Sequence, residues 1–349
     1  MEPIIQGIIS CYPIDVRRKL MSSISSSHRL NEIKSAADID DDIKIGSVCT
    51  FLWTLPGHEV GVSFYTEIQS FIRQTLLPRT ESQHLNPADP DRRQENYETK
   101  SDCLKQMIKY IIKYIIGINK PELISSPCCK LYTTGNCKLF YRWQEKDFDM
   151  DVSSIDFSIF QGFTATSDNI SNAANISYDW RSVALNPVLF VIECSLSINL
   201  FSDISDLSRV PDEKEYLFTP SIVCELVQVD HVLPEVFKTS GHTFKCGGND
   251  ITLQTPSGAG FDNICARASS ITIMYLRVLG CYKDLISEIV NIDINEDLDS
   301  SELVESSRCL FIEPPLAVPH FSTDTLKGAE AGQFTTEYKR GGGGKMRNR

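Results

Sequence analysis

Glu213 and Glu215 stand one residue apart in PDEKEYLFTP (211–220), at the mouth of an apolar run with a proline at each end. Acid–Lys–acid triplets usually do no more than solvate a surface. At the entry to a strand, however, residues two apart share a face. The two carboxylates would then have alpha carbons about 6.5–7 Å apart while Lys214 points away. Such a pair suits a reaction in which a sugar ring gains positive charge. One carboxylate stabilises the cation as a glycosidic bond breaks, and the other acts on the incoming nucleophile.

Two upstream stretches extend this chemistry. Arg142 lies near the end of the strand-like LFYRW, where a guanidinium can hold a pyrophosphate by paired hydrogen bonds. GFTATS (162–167) puts Ala165, Thr166 and Ser167 just after Phe163. Small and hydroxyl side chains there suit a ribose or nicotinamide pocket, and Phe163 suits either a stack on nicotinamide or a place in the core.

The elements that would position these residues follow from periodicity. SFYTEIQSFIRQTL places Phe64, Ile68, Phe71, Ile72 and Leu76 at helical spacing, which predicts an amphipathic helix. PRTESQHLNPADPDRRQENYETKSD reads as a long polar loop, and CLKQMIKYIIKYIIGI as a second, core helix. From about residue 126 the pattern turns to strand period. KLYTT and KLFYRW flank a Gly135-Asn136 turn, PVLFVIECSL is a buried strand, and YLFTPSIVCELVQVD is two strands broken at Pro220. DITLQT alternates, and ASSITIMYLRVLG fits strand or helix. Residues 1–45 are mixed and end in DIDDD, which suits a loop. The fold class expected is α+β, with helices first and short strands afterwards.

Composition narrows the function. The 349 residues are 42% hydrophobic and 23% charged, as in ordinary globular proteins. A net charge of −12, from 46 acids against 34 bases, argues against a broad nucleic-acid surface. The twelve cysteines are scattered without a CxxC pair, so neither a zinc ribbon nor another metal site is expected. The first twenty residues make a poor signal peptide, with Glu2, Pro3 and Gln6 around their apolar stretch. No apolar window is long enough to span a bilayer, so a cytoplasmic protein with reduced thiols is expected. Oligomeric state is not legible.

The order of these motifs resembles the arginine-specific mono-ADP-ribosyltransferases, the R-S-E class that includes vertebrate ecto-enzymes and related bacterial toxins. An arginine strand, an aromatic-x-hydroxyl cluster and an E-x-E entry follow one another in the same order. SFYTEIQSFIRQTL is similar to the family's N-terminal helix, SDLSRVPDEKEYLFTP to its E-x-E segment, and ITLQTPSGAGFDNIC to the stretch that closes the domain. The resemblance covers roughly residues 48–266. It implies N-terminal helices followed by two packed antiparallel β-sheets with an NAD cleft between them. It implies NAD, with NADP as a related donor, as the substrate, and arginine-bearing target proteins as the acceptors. Arg142 would hold the phosphates, Glu215 would hydrogen-bond the ribose and stabilise its oxocarbenium-like state, and Glu213 would activate the acceptor guanidinium. Phe163, Ala165, Thr166 and Ser167 would line the pocket.

Two departures stand out. The family's first motif serine, which helps position the catalytic glutamate, is Ala165 here, and the glycine after the arginine is Trp143. Two other readings therefore accompany the transferase: an NAD glycohydrolase, and a catalytically weakened module that binds NAD or a partner. The domains expected are an N-terminal extension (1–47), a catalytic domain (48–266) and a C-terminal extension (267–349) that is largely disordered after about 310.

Overall fold

The computed structural model describes residues 2–76, 90–118, 137–144, 155–177, 186–195, 198–209, 211–246, 249–292, 294, 296–305 and 307–312. Among the described residues seven helices come first: α1 (Glu2–Ile8), α2 (Ile14–Ser26), α3 (His28–Ser35), α4 (Asp41–Thr54), α5 (Gly57–Val60), α6 (Phe64–Leu76) and α7 (Pro90–Ile118). The expectation of a mixed, loop-ended segment over 1–45 is corrected here. Val16, Leu20 and Ile24 recur every fourth residue and bury one stripe of α2. The acidic cluster is a helix start: the Asp40 carboxylate accepts the Asp42 N–H at 2.7 Å and caps α4.

Helix α4 is buried along nearly its whole length, from Ile43 and Ile45 to Thr54. It packs so closely on α7 that a Cβ on Gly46 would overlap the Tyr110 carbonyl and lie 2.6 Å from Tyr114 Cβ. Helix α7 starts earlier than its apolar repeat predicts, at Pro90, a residue well suited to a first helical turn. The early part of the expected 78–102 loop, and the turn at 135–136, lie outside the described residues. None of the described helices is long and apolar enough to cross a membrane.

The strands are β1 (Cys137–Gln144), β2 (Phe157–Phe160), β3 (Thr164–Ser167), β4 (Val188–Ser195), β5 (Phe201–Asp203), β6 (Glu215–Phe218), β7 (Ile222–Val232), β8 (His242–Cys246), β9 (Asn249–Leu253), β10 (Ile271–Cys281) and β11 (Cys309–Ile312). Among them run α8 (Ile170–Ser177), α9 (Pro234–Ser240), α10 (Ala259–Arg267), α11 (Lys283–Ile289) and α12 (Ser301–Glu305). Nine strands share one sheet in the order β11-β2-β7-β10-β4-β1-β3-β6-β5, and β8-β9 form a separate hairpin.

The large sheet has a seam. β1 pairs with β4 through eight residues but with β3 through one, Tyr141 opposite Ser167. It is therefore two hydrogen-bonded blocks, β11 to β1 and β3-β6-β5, joined at one rung. Pairing is antiparallel except for β4 with β10 and β2 with β11. The ambiguous segment at 268–280 is a strand, and β4 and β7 flank β10 as buried neighbours usually do in such a sheet. The expected boundary at 47/48 falls inside α4, and that at 266/267 cuts the last residue from α10, four residues before β10.

Alternation sends side chains to two cores. Phe140, Phe190, Ile192, Met274 and Leu276 face the core that holds α1–α7, while Trp143, Leu189, Val191, Ile273 and Tyr275 face one shared with α8, α9 and α10. Arg142, two residues from Phe140, belongs to the first side. Trp143 takes the other, donating its Nε1–H to the Ile170 carbonyl at 3.4 Å. The residue that replaces the family's glycine therefore packs away from Arg142.

Candidate active site

Glu215 opens β6, but Glu213 does not share its strand. Pro211–Glu213 form a single 3-10 turn, closed by the Lys214 N–H on the Pro211 carbonyl at 3.1 Å. Lys214 has φ of 48°, in the left-handed region that side chains rarely adopt. The extended geometry expected for the triplet is corrected accordingly: the chain kinks at Lys214, and the strand begins one residue later. The two acids still feel each other, because the Glu213 charge helps to raise the Glu215 pKa. The turn is tied down on its main chain. Ser167 Oγ donates to the Glu213 carbonyl at 3.3 Å, and Asn172 Nδ2 to the Asp212 carbonyl at 3.3 Å.

Glu215 is 2% exposed, and its Oε1 has no hydrogen-bond partner. Burial chiefly, and the Glu213 charge next, push its pKa up to about 8. The Trp53 indole N–H and the Arg142 guanidinium pull the other way. Neither Trp53 Nε1 nor Glu215 Oε1 has a hydrogen-bond partner. Glu213 is half-buried, and desolvation raises its pKa to about 7. Near neutral pH both hold protons that exposed carboxylates would have lost.

Arg142 is 4% exposed and donates through Nη1 to the Ala165 carbonyl at 2.8 Å, while its Nε is unpartnered. Burial lowers its pKa, opposed by Tyr65 and Glu215. It stays charged, as arginine does in proteins. Tyr65 and Gln69, one turn apart on α6, close this side. Gln69 Nε2 donates to the Phe163 carbonyl at 2.7 Å, and its Oε1 is unpartnered. Buried polar atoms without partners are uncommon and call for an explanation. Four such atoms lie on α4, α6, β1 and β6: Trp53 Nε1, Gln69 Oε1, Arg142 Nε and Glu215 Oε1.

The pocket residues expected from the sequence separate. Ser167 lies directly across from Glu215, and Ala165 across from Leu217, so both are on the Glu215 face. Thr166 is on the opposite face, where Oγ1 donates to the Tyr216 carbonyl at 3.2 Å. Phe163 is 1% exposed, and its ring packs edge-on against Trp53 with centroids 5.2 Å apart, as a core aromatic does. Trp53 escapes the sequence reading because it sits in the apolar run GSVCTFLWTLPG. Its signal is chemical: an indole N–H in a buried run needs a polar neighbour.

No family model and no curated protein matches the chain. Among solved structures it is similar to ADP-ribosyltransferases. One is HopU1 of Pseudomonas syringae pv. Tomato DC3000, at 12% identity over 77% of this chain and 89% of that one, with a TM-score of 0.39. A second is the Vis toxin of Vibrio splendidus, at 14% identity over 75% and 82%, with a TM-score of 0.34. A third is the eucaryotic mono-ADP-ribosyltransferase ART2.2, at 16% identity over 66% and 79%, with a TM-score of 0.36. At these identities and TM-scores the likeness says nothing of the chemistry, which rests on the residues themselves.

Proposed function

We propose that the protein is an NAD-dependent ADP-ribosyltransferase that modifies arginine side chains of target proteins. The observation that carries this reading is the buried Glu215 carboxyl with an unpartnered oxygen, beside a buried arginine that keeps unpartnered donor capacity. A sugar hydroxyl is a donor that fits such a carboxylate, and a phosphate oxygen is an acceptor that fits such a guanidinium.

In this reading Arg142 holds the pyrophosphate of NAD. Glu215 accepts a hydrogen bond from the nicotinamide-side ribose. The bond from ribose C1′ to the nicotinamide nitrogen breaks, and its electron pair leaves with neutral nicotinamide. The cation left on the ribose is stabilised by the Glu215 carboxylate. A guanidinium nitrogen of the acceptor bonds to C1′ and gives up a proton, which Glu213 takes. With a pKa near the working pH, Glu213 is suited to that transfer. Ala165 leaves Glu215 without the family's serine, Ser167 organises the turn, and Thr166 and Phe163 support the strand rather than the sugar.

A second reading, NAD hydrolysis, is favoured by one feature. Glu213 sits on a turn rather than on the strand that carries Glu215. The test incubates the protein with NAD labelled in the ADP-ribose part, follows nicotinamide release, and locates label on poly-arginine by mass spectrometry. Release with labelled arginine supports transfer, release without it supports hydrolysis, and no release refutes both.

A further inference from the structure

We infer that Lys138, with Asp168 and Tyr216, forms a clamp across the seam of the sheet and is a positioning residue for Glu215. The inference rests on the enzymatic reading above for its catalytic meaning, but the clamp belongs to the resting protein and is tested there first.

The seam needs more than backbone to hold it. Tyr141 opposite Ser167 is the single rung from β1 to β3. Toward residue 137 the ladder ends because the chain turns into α8 at Ile170, with Asn169 Oδ1 accepting the Ser171 N–H at 2.8 Å. Toward residue 144 the pairing also stops, and side chains take the β3 carbonyls instead. Arg142 Nη1 donates to that of Ala165, and Gln69 Nε2 to that of Phe163.

Lys138 supplies the link on the other side of the rung. Its ammonium lies 2.9 Å from the Asp168 carboxylate and donates to the Tyr216 hydroxyl at 2.8 Å. That hydroxyl donates to Asp168 Oδ2 at 3.1 Å, so the three groups close a triangle. The ammonium also sits 4.1 Å from the centroid of the Tyr216 ring. The side chains of Lys138 and Asp168 are only 19% and 29% exposed, so water screens them less than it does a surface ion pair.

Its place gives the clamp a function. Lys138 precedes Arg142 by four residues on β1 and shares its face. Asp168 follows Ser167, Tyr216 follows Glu215, and Ser167 and Glu215 stand opposite each other. The clamp therefore grips the residues next to both members of that pair and holds them to the strand that carries Arg142. Without it, β3 and β6 are free to shift against β1, and a bound dinucleotide must set their register at each binding event. That ordering cost falls on binding.

The experiment follows hydrogen exchange of the free protein by NMR in wild type, Lys138→Met, Asp168→Asn and the double variant. Methionine keeps most of the apolar stem of lysine, and asparagine the size of aspartate, so packing is retained. The rung residues Tyr141 and Ser167 are expected to exchange about tenfold faster in each single variant. The double variant should be no faster than the singles, as for one shared interaction. The β4 amides, held to β1 by eight rungs, should not change. In turnover, the KM for NAD should rise about tenfold while kcat changes by less than about threefold.

Tyr216→Phe keeps the ring and removes one corner of the triangle, which covers the case of a lysine or aspartate variant that does not fold. It should speed the rung about two- to fivefold. An unmoved rung, an equal acceleration in β4, additive effects in the double variant, or a fall in kcat at unmoved KM overturns the proposal. A wild type that releases no nicotinamide would instead refute the enzymatic reading, and the exchange rates would still decide the clamp.

Discussion

Ser167 stands directly opposite Glu215 in the β3–β6 pairing, yet its hydroxyl donates to the Glu213 carbonyl at 3.3 Å rather than to the carboxylate across from it. One hydroxyl on the strand edge thus organises the turn that carries the first acid, while the second acid is left to other neighbours.

Ser167→Ala should therefore act on Glu213 more than on Glu215. A neutral hydrogen bond is worth about 0.5–1.5 kcal/mol, so transfer to arginine should fall about two- to tenfold. Nicotinamide release to water should change less. Parallel initial rates of the two reactions check this, and an equal loss in both would contradict it.

Glu215→Gln should abolish both transfer and hydrolysis, by on the order of a hundredfold or more, with the fold retained. Nicotinamide release at saturating NAD, with circular dichroism on the same samples, measures it. Activity within a few-fold of wild type would remove Glu215 from the site.

The pH dependence follows from the two raised acids. Both titrate higher in the fold, at about 7 and about 8, than their ordinary value of 4.5. The folded state therefore holds extra protons between those limits, and stability should decline as pH rises from about 4.5 through 8 and then level off. Denaturant titrations at intervals across that range should show the slope, and Glu213→Gln with Glu215→Gln should flatten it. In the proposed mechanism Glu215 acts as the carboxylate, so kcat/KM for NAD should rise through the same region.

Gly46→Ala should destabilise the helical layer, because the added Cβ overlaps the Tyr110 carbonyl of α7. Overpacking of this kind costs about 1–3 kcal/mol. A thermal melt reads it, and an unchanged Tm would mean that α4 and α7 pack less closely than described.

Ending the chain at 305 removes β11, which pairs with β2 and buries Leu310 and Ile312. The expected outcome is a lower Tm than for a chain ending at 312. The sequence reading started the disordered tail at about 310, inside this strand; residues beyond 312 lie outside the described ones.

Much of the fold was legible because it is written in period. The stripe on α6, the apolar run of β4 and the Pro220 break each depend on spacing alone. The helices before residue 41 were missed because α1 and α3 span only seven and eight residues, α2 buries only Val16, Leu20 and Ile24 in a largely polar stretch, and DIDDD has loop composition, although Asp40 is a cap. In the candidate site, Arg142 and Glu215 can be singled out by type and order, and both are buried in the fold. The geometry of Glu213 was not, because alternation assumes an extended backbone and Lys214 is left-handed. Nor was Trp53, whose unpartnered indole N–H leaves no local pattern in the apolar run that holds it.

The seam of the sheet has a mechanical consequence. Eight rungs hold β1 to β4 and four hold β3 to β6, but a single rung joins β1 to β3. Arg142 is one residue from that rung on one side, and Glu215 faces it on the other. The sheet is thus two stiff plates meeting at a compliant crease. A twist about the crease changes the span from guanidinium to carboxylate while breaking one rung rather than eight. A molecule gripped at both ends ties the plates together, so hydrogen exchange at Tyr141 and Ser167 should slow when such a tie is in place.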